Sequence, residues 1–158
     1  MVQDERGPLA KVTDKATQSN YHAIRTEHLD FAINVDWQRR ILYGSITHHL
    51  HVIASTHIAI FDTSYLEITA CRTSAGTPLE FQLAPRNGEI GQALTVHLER
   101  EHTQGEKVEI VIDFATTEKC TALGWLEATQ TQSGLYPFVY SQCQAIHARS
   151  LFRWFPLF

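Results

Sequence analysis

His28-Leu29-Asp30-Phe31-Ala32-Ile33-Asn34-Val35 alternates without a break: Leu29, Phe31, Ile33 and Val35 fall on one side, and His28, Asp30, Ala32 and Asn34 on the other. Successive side chains of an extended chain point to opposite faces, so this period of two predicts a β-strand with one apolar face. The polar stretch Asp36 to Arg40 follows and reads as a turn. In the next run Leu42, Gly44, Ile46, His48, Leu50 and Val52 share a face. Shorter apolar runs continue the pattern at Ile58 to Phe61, Leu66 to Thr69, Leu79-Phe81-Leu83, Leu94-Val96-Leu98 and Val108-Ile110-Ile112-Phe114. Between them lie turn signals: Asp62-Thr63-Ser64, Ser74-Ala75-Gly76-Thr77-Pro78, Pro85-Arg86-Asn87-Gly88 and Gln104-Gly105-Glu106. No segment sustains a helical period. Seven or eight short strands, rich in Val, Ile, Thr and Phe, predict an all-β fold, an antiparallel β-sandwich.

A chain of 158 residues makes one domain the default and can bury a real core. Its 44% hydrophobic and 19% charged residues describe an ordinary globular chain. A formal net charge of -4 with 13 basic residues and no basic cluster argues against a nucleic-acid surface. No apolar run is long enough to span a bilayer, and the polar start Met1-Val2-Gln3-Asp4-Glu5-Arg6 lacks the apolar core of a signal peptide. Cys71, Cys120 and Cys143 are odd in number and far apart, which favours thiols in a reducing compartment over a disulfide framework. A cytoplasmic protein that meets neither membrane nor nucleic acid is the expectation. Residues 1–19, polar and weakly patterned, read as a mobile lead-in.

Near the C-terminus, Tyr140-Ser141-Gln142-Cys143-Gln144-Ala145-Ile146-His147-Ala148-Arg149-Ser150 concentrates two neutral amides, a thiol and an imidazole after the apolar run Leu135 to Val139. If the backbone is extended there, Gln142 and Gln144 point the same way and Cys143 the other. Aligned amides offer carbonyl acceptors and NH2 donors without charge, which suits a grip on a peptide's amino end and first carbonyl better than acid–base work. An edge strand whose glutamines face water satisfies the same pattern.

Nine histidines call for a search for metal ligands, and only His48-His49-Leu50-His51 clusters. On a strand His49 and His51 share the polar face and His48 enters the apolar one; no third ligand is evident for tetrahedral zinc. His-Glu-x-x-His is absent, as is Gly-x-Ser-x-Gly. On a strand, Cys143 and His147 lie more than about a dozen ångströms apart, too far for a thiol–imidazole pair. The residues alone therefore lead to a β-sandwich with a suggestive amide pair and no catalytic apparatus or metal centre.

The run from Ser19 through Tyr21, Arg25 and Glu27 to Asp30 resembles the opening of the leukotriene A4 hydrolase branch of the zinc aminopeptidases, the aminopeptidase N-like peptidase family M1. Tyr43-Gly44-Ser45, Phe61-Asp62-Thr63-Ser64-Tyr65-Leu66-Glu67-Ile68, Gly105-Glu106-Lys107-Val108 and Thr121-Ala122-Leu123-Gly124-Trp125-Leu126 resemble it further. Residues 140 to 150 carry the strongest likeness, and the resemblance covers about Ser19 to Ser150. It implies a saddle-like N-terminal β domain over residues 20–150, followed in such enzymes by a thermolysin-like catalytic domain. It also implies that Gln142, Gln144 and Ala145 contact substrate. Gln144 would help hold the free amino end, and Gln142 would line the polar part of the pocket. The family's zinc ligands, general-base Glu and Gly-x-Met-Glu-Asn motif match nothing in this sequence. Zinc would therefore belong to the full-length parent, a cytosolic metallo-aminopeptidase with possible epoxide hydrolase activity, and this chain alone would be inactive.

After Ser150 the sequence departs from the family. Phe152-Arg153-Trp154-Phe155-Pro156-Leu157-Phe158, within the tail 151–158, replaces the expected Pro-Cys-Gln-Asp-Thr-Pro-like continuation and reads as a truncation or an altered reading frame. An uncovered apolar face and self-association are then expected. A competing reading makes the chain a freestanding β-sandwich module that binds a peptide or protein through Gln142, Gln144 and the aromatic tail. A third, a metalloenzyme built on His49 and His51, requires stoichiometric zinc.

Overall fold

The computed structural model describes residues 14–142. Its elements follow in order: β1 (Ile24–Asp36), β2 (Ile41–Val52), β3 (Thr56–Thr63), β4 (Leu66–Thr73), β5 (Phe81–Leu83), β6 (Gln92–His102), β7 (Lys107–Thr116), β8 (Leu123–Leu126) and β9 (Phe138–Ser141). Two single turns of 3-10 helix, Gly88–Ile90 and Ala128–Gln130, punctuate the connections. Among the described residues no helix is long and apolar enough to cross a membrane.

Every strand pair is antiparallel. A four-stranded sheet runs β1-β2-β7-β4, a three-stranded sheet β3-β6-β5, and β8-β9 form a separate ribbon. The expected period of two holds along most of β2 and along β7, although Ile41 rather than Leu42 is buried at the start of β2 and Phe81 of β5 is exposed. Ile46, His48, Leu50 and Val52 of β2 are buried, as are Ile110, Ile112 and Phe114 of β7. They meet Ala59, Phe61, Leu94, Val96 and Leu98 from the second sheet in one apolar cluster. Burial of apolar side chains between two sheet faces is what holds a sandwich closed. The β8-β9 ribbon was only half visible in the sequence: Leu123-Gly124-Trp125-Leu126 is too short, and too interrupted by glycine, to show alternation.

Part of the polar lead-in is pinned. The Thr17 hydroxyl and the Gln18 N–H (2.8 Å) both donate to the carboxylate of buried Asp62. Asn20 brackets the outer edge of β3, donating from Nδ2 to the Ile58 carbonyl (3.0 Å) and accepting the Ile60 N–H on Oδ1 (2.8 Å). An asparagine side chain there satisfies backbone groups that a missing neighbouring strand would otherwise leave open.

His48 enters the core, as its place in the alternation requires. It is fully buried, its Nδ1 lies 3.0 Å from Thr26 Oγ1, and its ring packs 4.4 Å from that of Phe61. Burial, with a smaller contribution from the neighbouring His49 charge, pushes the imidazole down to about 3. It is therefore a neutral core residue at ordinary pH.

Candidate substrate-contact ribbon

Local chemistry builds the β8-β9 ribbon. Leu123 pairs with Ser141, Gly124 with Tyr140, Trp125 with Val139 and Leu126 with Phe138. Glycine at position 124 lets the Tyr140 ring lie across it; a Cβ there would sit 2.2 Å from Tyr140 Cζ in its present place. Phe138 stacks alongside Tyr140, with centroids 6.4 Å apart. On the other side of the ribbon Trp125 meets Trp37 edge to face at 5.8 Å, and Glu127 pairs with Arg40. These contacts fasten the ribbon to the β1–β2 turn. Its far end is fastened by the Gln142 N–H, which donates to the Ala122 carbonyl (2.9 Å).

Gln142 thus has a fixed backbone and an exposed side chain at the end of β9. Gln144 and Ala145, the other two positions implied by the resemblance, lie outside the described residues, as do Cys143 and His147. The ribbon surface leading to Gln142 is aromatic and open: Leu135 is 71% exposed, Tyr136 73%, Phe138 53% and Tyr140 46%. These side chains were not singled out by sequence reasoning. The run Leu135 to Val139 signalled a strand, but nothing local said that it would remain uncovered.

The histidine cluster resolves into a charge ladder on the outer face of the four-stranded sheet. His49 lies between two carboxylates, Nε2 2.6 Å from Asp30 and Nδ1 2.9 Å from Glu109. His28 approaches the second oxygen of Asp30 at 3.2 Å. The hydrogen bond that His49 donates to Asp30, together with both carboxylate charges, raises the His49 pKa, and the two imidazoles lower that of Asp30. His51 turns instead toward Glu27 at 3.9 Å, so the pair His49 and His51 does not converge. Among the described residues no group of three His, Cys, Asp or Glu side chains is placed to hold a metal ion.

A shallow depression is lined by Tyr65, Leu66, Gln92, Thr117, Glu118 and Lys119. Tyr65 adopts a left-handed backbone conformation, φ 57°, that a bulky residue seldom takes. Its carbonyl accepts from the Thr117 N–H (3.1 Å) and hydroxyl (2.9 Å), and the Arg86 guanidinium sits 3.9 Å above its ring. These contacts account for the strained turn without invoking a ligand.

Residues 20–157 match the Peptidase M1 N-terminal domain. The chain belongs to this family. The match of this M1 N-terminal domain extends past Ser150 into the tail that the resemblance set apart. Among curated relatives it is 39% identical over 147 residues to leucine aminopeptidase 2 of Coccidioides immitis, a match covering 92% of this chain and 24% of that protein. Leucine aminopeptidase 2 of Chaetomium globosum is 41% identical over 147 residues, covering 91% and 24%. The solved structure of native leukotriene A4 hydrolase from Saccharomyces cerevisiae superposes with a TM-score of 0.80 at 32% identity, over 96% of this chain and 25% of that one. The chain therefore spans about a quarter of the length of the relatives it matches.

Proposed function

We propose that this chain is the N-terminal domain of a cytoplasmic zinc aminopeptidase, and that Gln142, Gln144 and Ala145 hold the substrate's amino end. The observation that carries the reading is the match to leucine aminopeptidases across nine-tenths of the chain, together with Gln142 exposed at the end of the anchored ribbon. A peptide's terminal ammonium needs acceptors, and its first carbonyl needs a donor. A primary amide supplies both without a charge that would pair too tightly or titrate. Gln144 accepts from the ammonium, Gln142 lines the polar side of the pocket, and Ala145 is the third substrate contact. This fixes the scissile bond in position, a contribution of orientation.

Zinc, when bound in such enzymes, polarises the scissile carbonyl and activates water. The described residues here do not fit that ion, so the polypeptide that follows this domain in the longer relatives would hold it. Alone, the chain hydrolyses nothing. The proposal for the full-length parent extends to epoxide hydrolysis, the solved yeast relative being named a leukotriene A4 hydrolase. Cys71, whose thiol burial pushes up to about 12, is an inert core thiol and takes no part in this chemistry.

The test is to join the chain to its downstream catalytic polypeptide and assay aminoacyl-anilide hydrolysis. Gln144→Ala should lower kcat/KM by about 10- to 100-fold, the loss of one hydrogen bond to a charged group. Gln142→Ala should cost less. Unchanged kcat/KM in both variants, or an assembled protein with no aminopeptidase activity, sinks the reading. The exposed aromatic surface favours the second reading, a freestanding binding module. That reading would take over if the isolated chain captured peptides independently of any catalytic polypeptide.

A further inference from the structure

β1 is an edge strand. It pairs with β2 along one side, and among the described residues no strand pairs with its other side. Its core-side face continues beyond the reach of the second sheet, leaving Phe31 47%, Ile33 38% and Val35 37% exposed, with Trp37 beyond them at 46%. Natural proteins blunt such edges with a charge on the exposed stripe, a proline or a bulge. The β1 bulge lies earlier, between Thr26 and His28, and the segment from Leu29 to Val35 has no proline and no charge on its apolar face. An open backbone edge beside an apolar stripe is a surface for adding a strand.

We propose that β1 binds a second copy of this chain, two β1 strands pairing antiparallel about a twofold axis through Ala32. The two four-stranded sheets then become one continuous sheet. The axis follows from the residues. A register centred between two residues would set apolar faces against polar ones, so the axis must pass through a residue. Centred on Ala32, Phe31 meets the partner's Ile33 and Leu29 meets the partner's Val35 on the apolar face. On the opposite face His28 lies across from the partner's Asp36, and Asp30 across from the partner's Asn34. An axis through Ile33 would instead set Asp30 against Asp36, carboxylate on carboxylate, which is destabilising across a strand pair. Of these two registers, the one centred on Ala32 avoids the carboxylate clash and sets His28 beside the partner's Asp36, and this self-complementarity is the argument for a second copy as occupant. The contact is isologous and closes after two chains. It does not depend on the aminopeptidase reading.

Sedimentation velocity on the 158-residue chain over a range of concentrations tests the proposal. A reversible dimer is expected. Ile33→Lys places a charge on the stripe, and because Ile33 already touches water the fold should survive; dimer affinity should fall at least about tenfold. Phe31→Thr serves as a second variant, with circular dichroism confirming the fold of each. His28→Glu should weaken the dimer by opposing Asp36, and Asp36→Lys added to it should restore association. A chain that stays monomeric at its highest soluble concentration overturns the proposal. So does association that Ile33→Lys leaves unchanged, which would place the contact on another face such as the aromatic ribbon. A longer form that is monomeric, yet has β1 amides protected from hydrogen exchange, also overturns it and assigns the edge to downstream polypeptide.

Discussion

The four-stranded sheet has one face and two fates. Toward one end, Ile46, Ile110 and Ile112 are 0% exposed beneath Leu94 and Val96 of the opposing sheet. Toward the other, Phe31, Ile33 and Val35 carry the same alternation on the same side, and more than a third of each remains in water. Register proves that these side chains share a face, since Phe31 lies opposite Ile46 and Ile33 opposite Gly44. What differs is the layer above. The three-stranded sheet covers β2 and β7 but does not extend over the outer half of β1. Periodicity therefore decides which way a side chain points, and the neighbouring layer decides whether burial follows.

The sharpest way to break this comparison is to delete the same kind of group from each end. Ile112→Ala should cost about 2–5 kcal/mol, because a cavity opens in a closed core. Phe31→Ala should cost less than about 1 kcal/mol, as substitutions at exposed positions do. Urea denaturation of both variants measures the contrast; equal losses would mean that the two ends are equally covered in solution.

His48 and His49 make the same comparison across one strand, and here pH is the probe. Buried His48 titrates near 3 in the folded chain, against an ordinary value near 6.5. A depressed folded value means that the unfolded chain takes up the proton first. Stability is therefore complete above about pH 6.5 and falls as pH drops toward 3, by about 2 kcal/mol at pH 5. His48→Leu should flatten that slope at the cost of the Thr26 contact. Half-exposed His49 has the opposite sign. Its raised value, caused first by Asp30, stabilises the fold below the ordinary histidine range, and that contribution is lost as pH rises through the raised value. His49→Gln should change stability less than His48→Leu does, and the effect should fade with added salt. Thermal melts from pH 4 to 9 for the parent and both variants separate the two contributions; a profile that neither variant alters would refute the assignment.

A more local effect concerns the ribbon. Gly124→Ala forces the Tyr140 ring off its seat, at a cost of about 1–3 kcal/mol if the ring cannot move. Because Tyr140 is 46% exposed, it has room to swing outward, so the low end of that range is expected. Combining Gly124→Ala with Tyr140→Ala should recover most of the loss. A double variant no better than Gly124→Ala alone would show that backbone strain, rather than the ring, demands glycine.

Much of the fold was legible. Alternation at residues 29–35, 42–52 and 108–114 located three strands of the larger sheet and placed His48 inward and His49 outward, because period two is a property of the backbone. The resemblance identified the family. The short strand Leu123–Leu126 escaped because four residues interrupted by glycine carry no period. The carboxylate partners of His49 escaped as well, since Asp30 and Glu109 stand on the strands to either side and only cross-strand register makes them neighbours.

For this protein, then, local pattern determined strand identity, facing and family, all of which depend on residues close together in the chain. Tertiary structure alone decided three things: that Asp62 and Asn20 pin residues 17–20, that Tyr140 lies over Gly124, and that the apolar half of β1 stays open. Each depends on which distant segment arrives beside it, or on none arriving, and burial is a property of that meeting rather than of the strand itself.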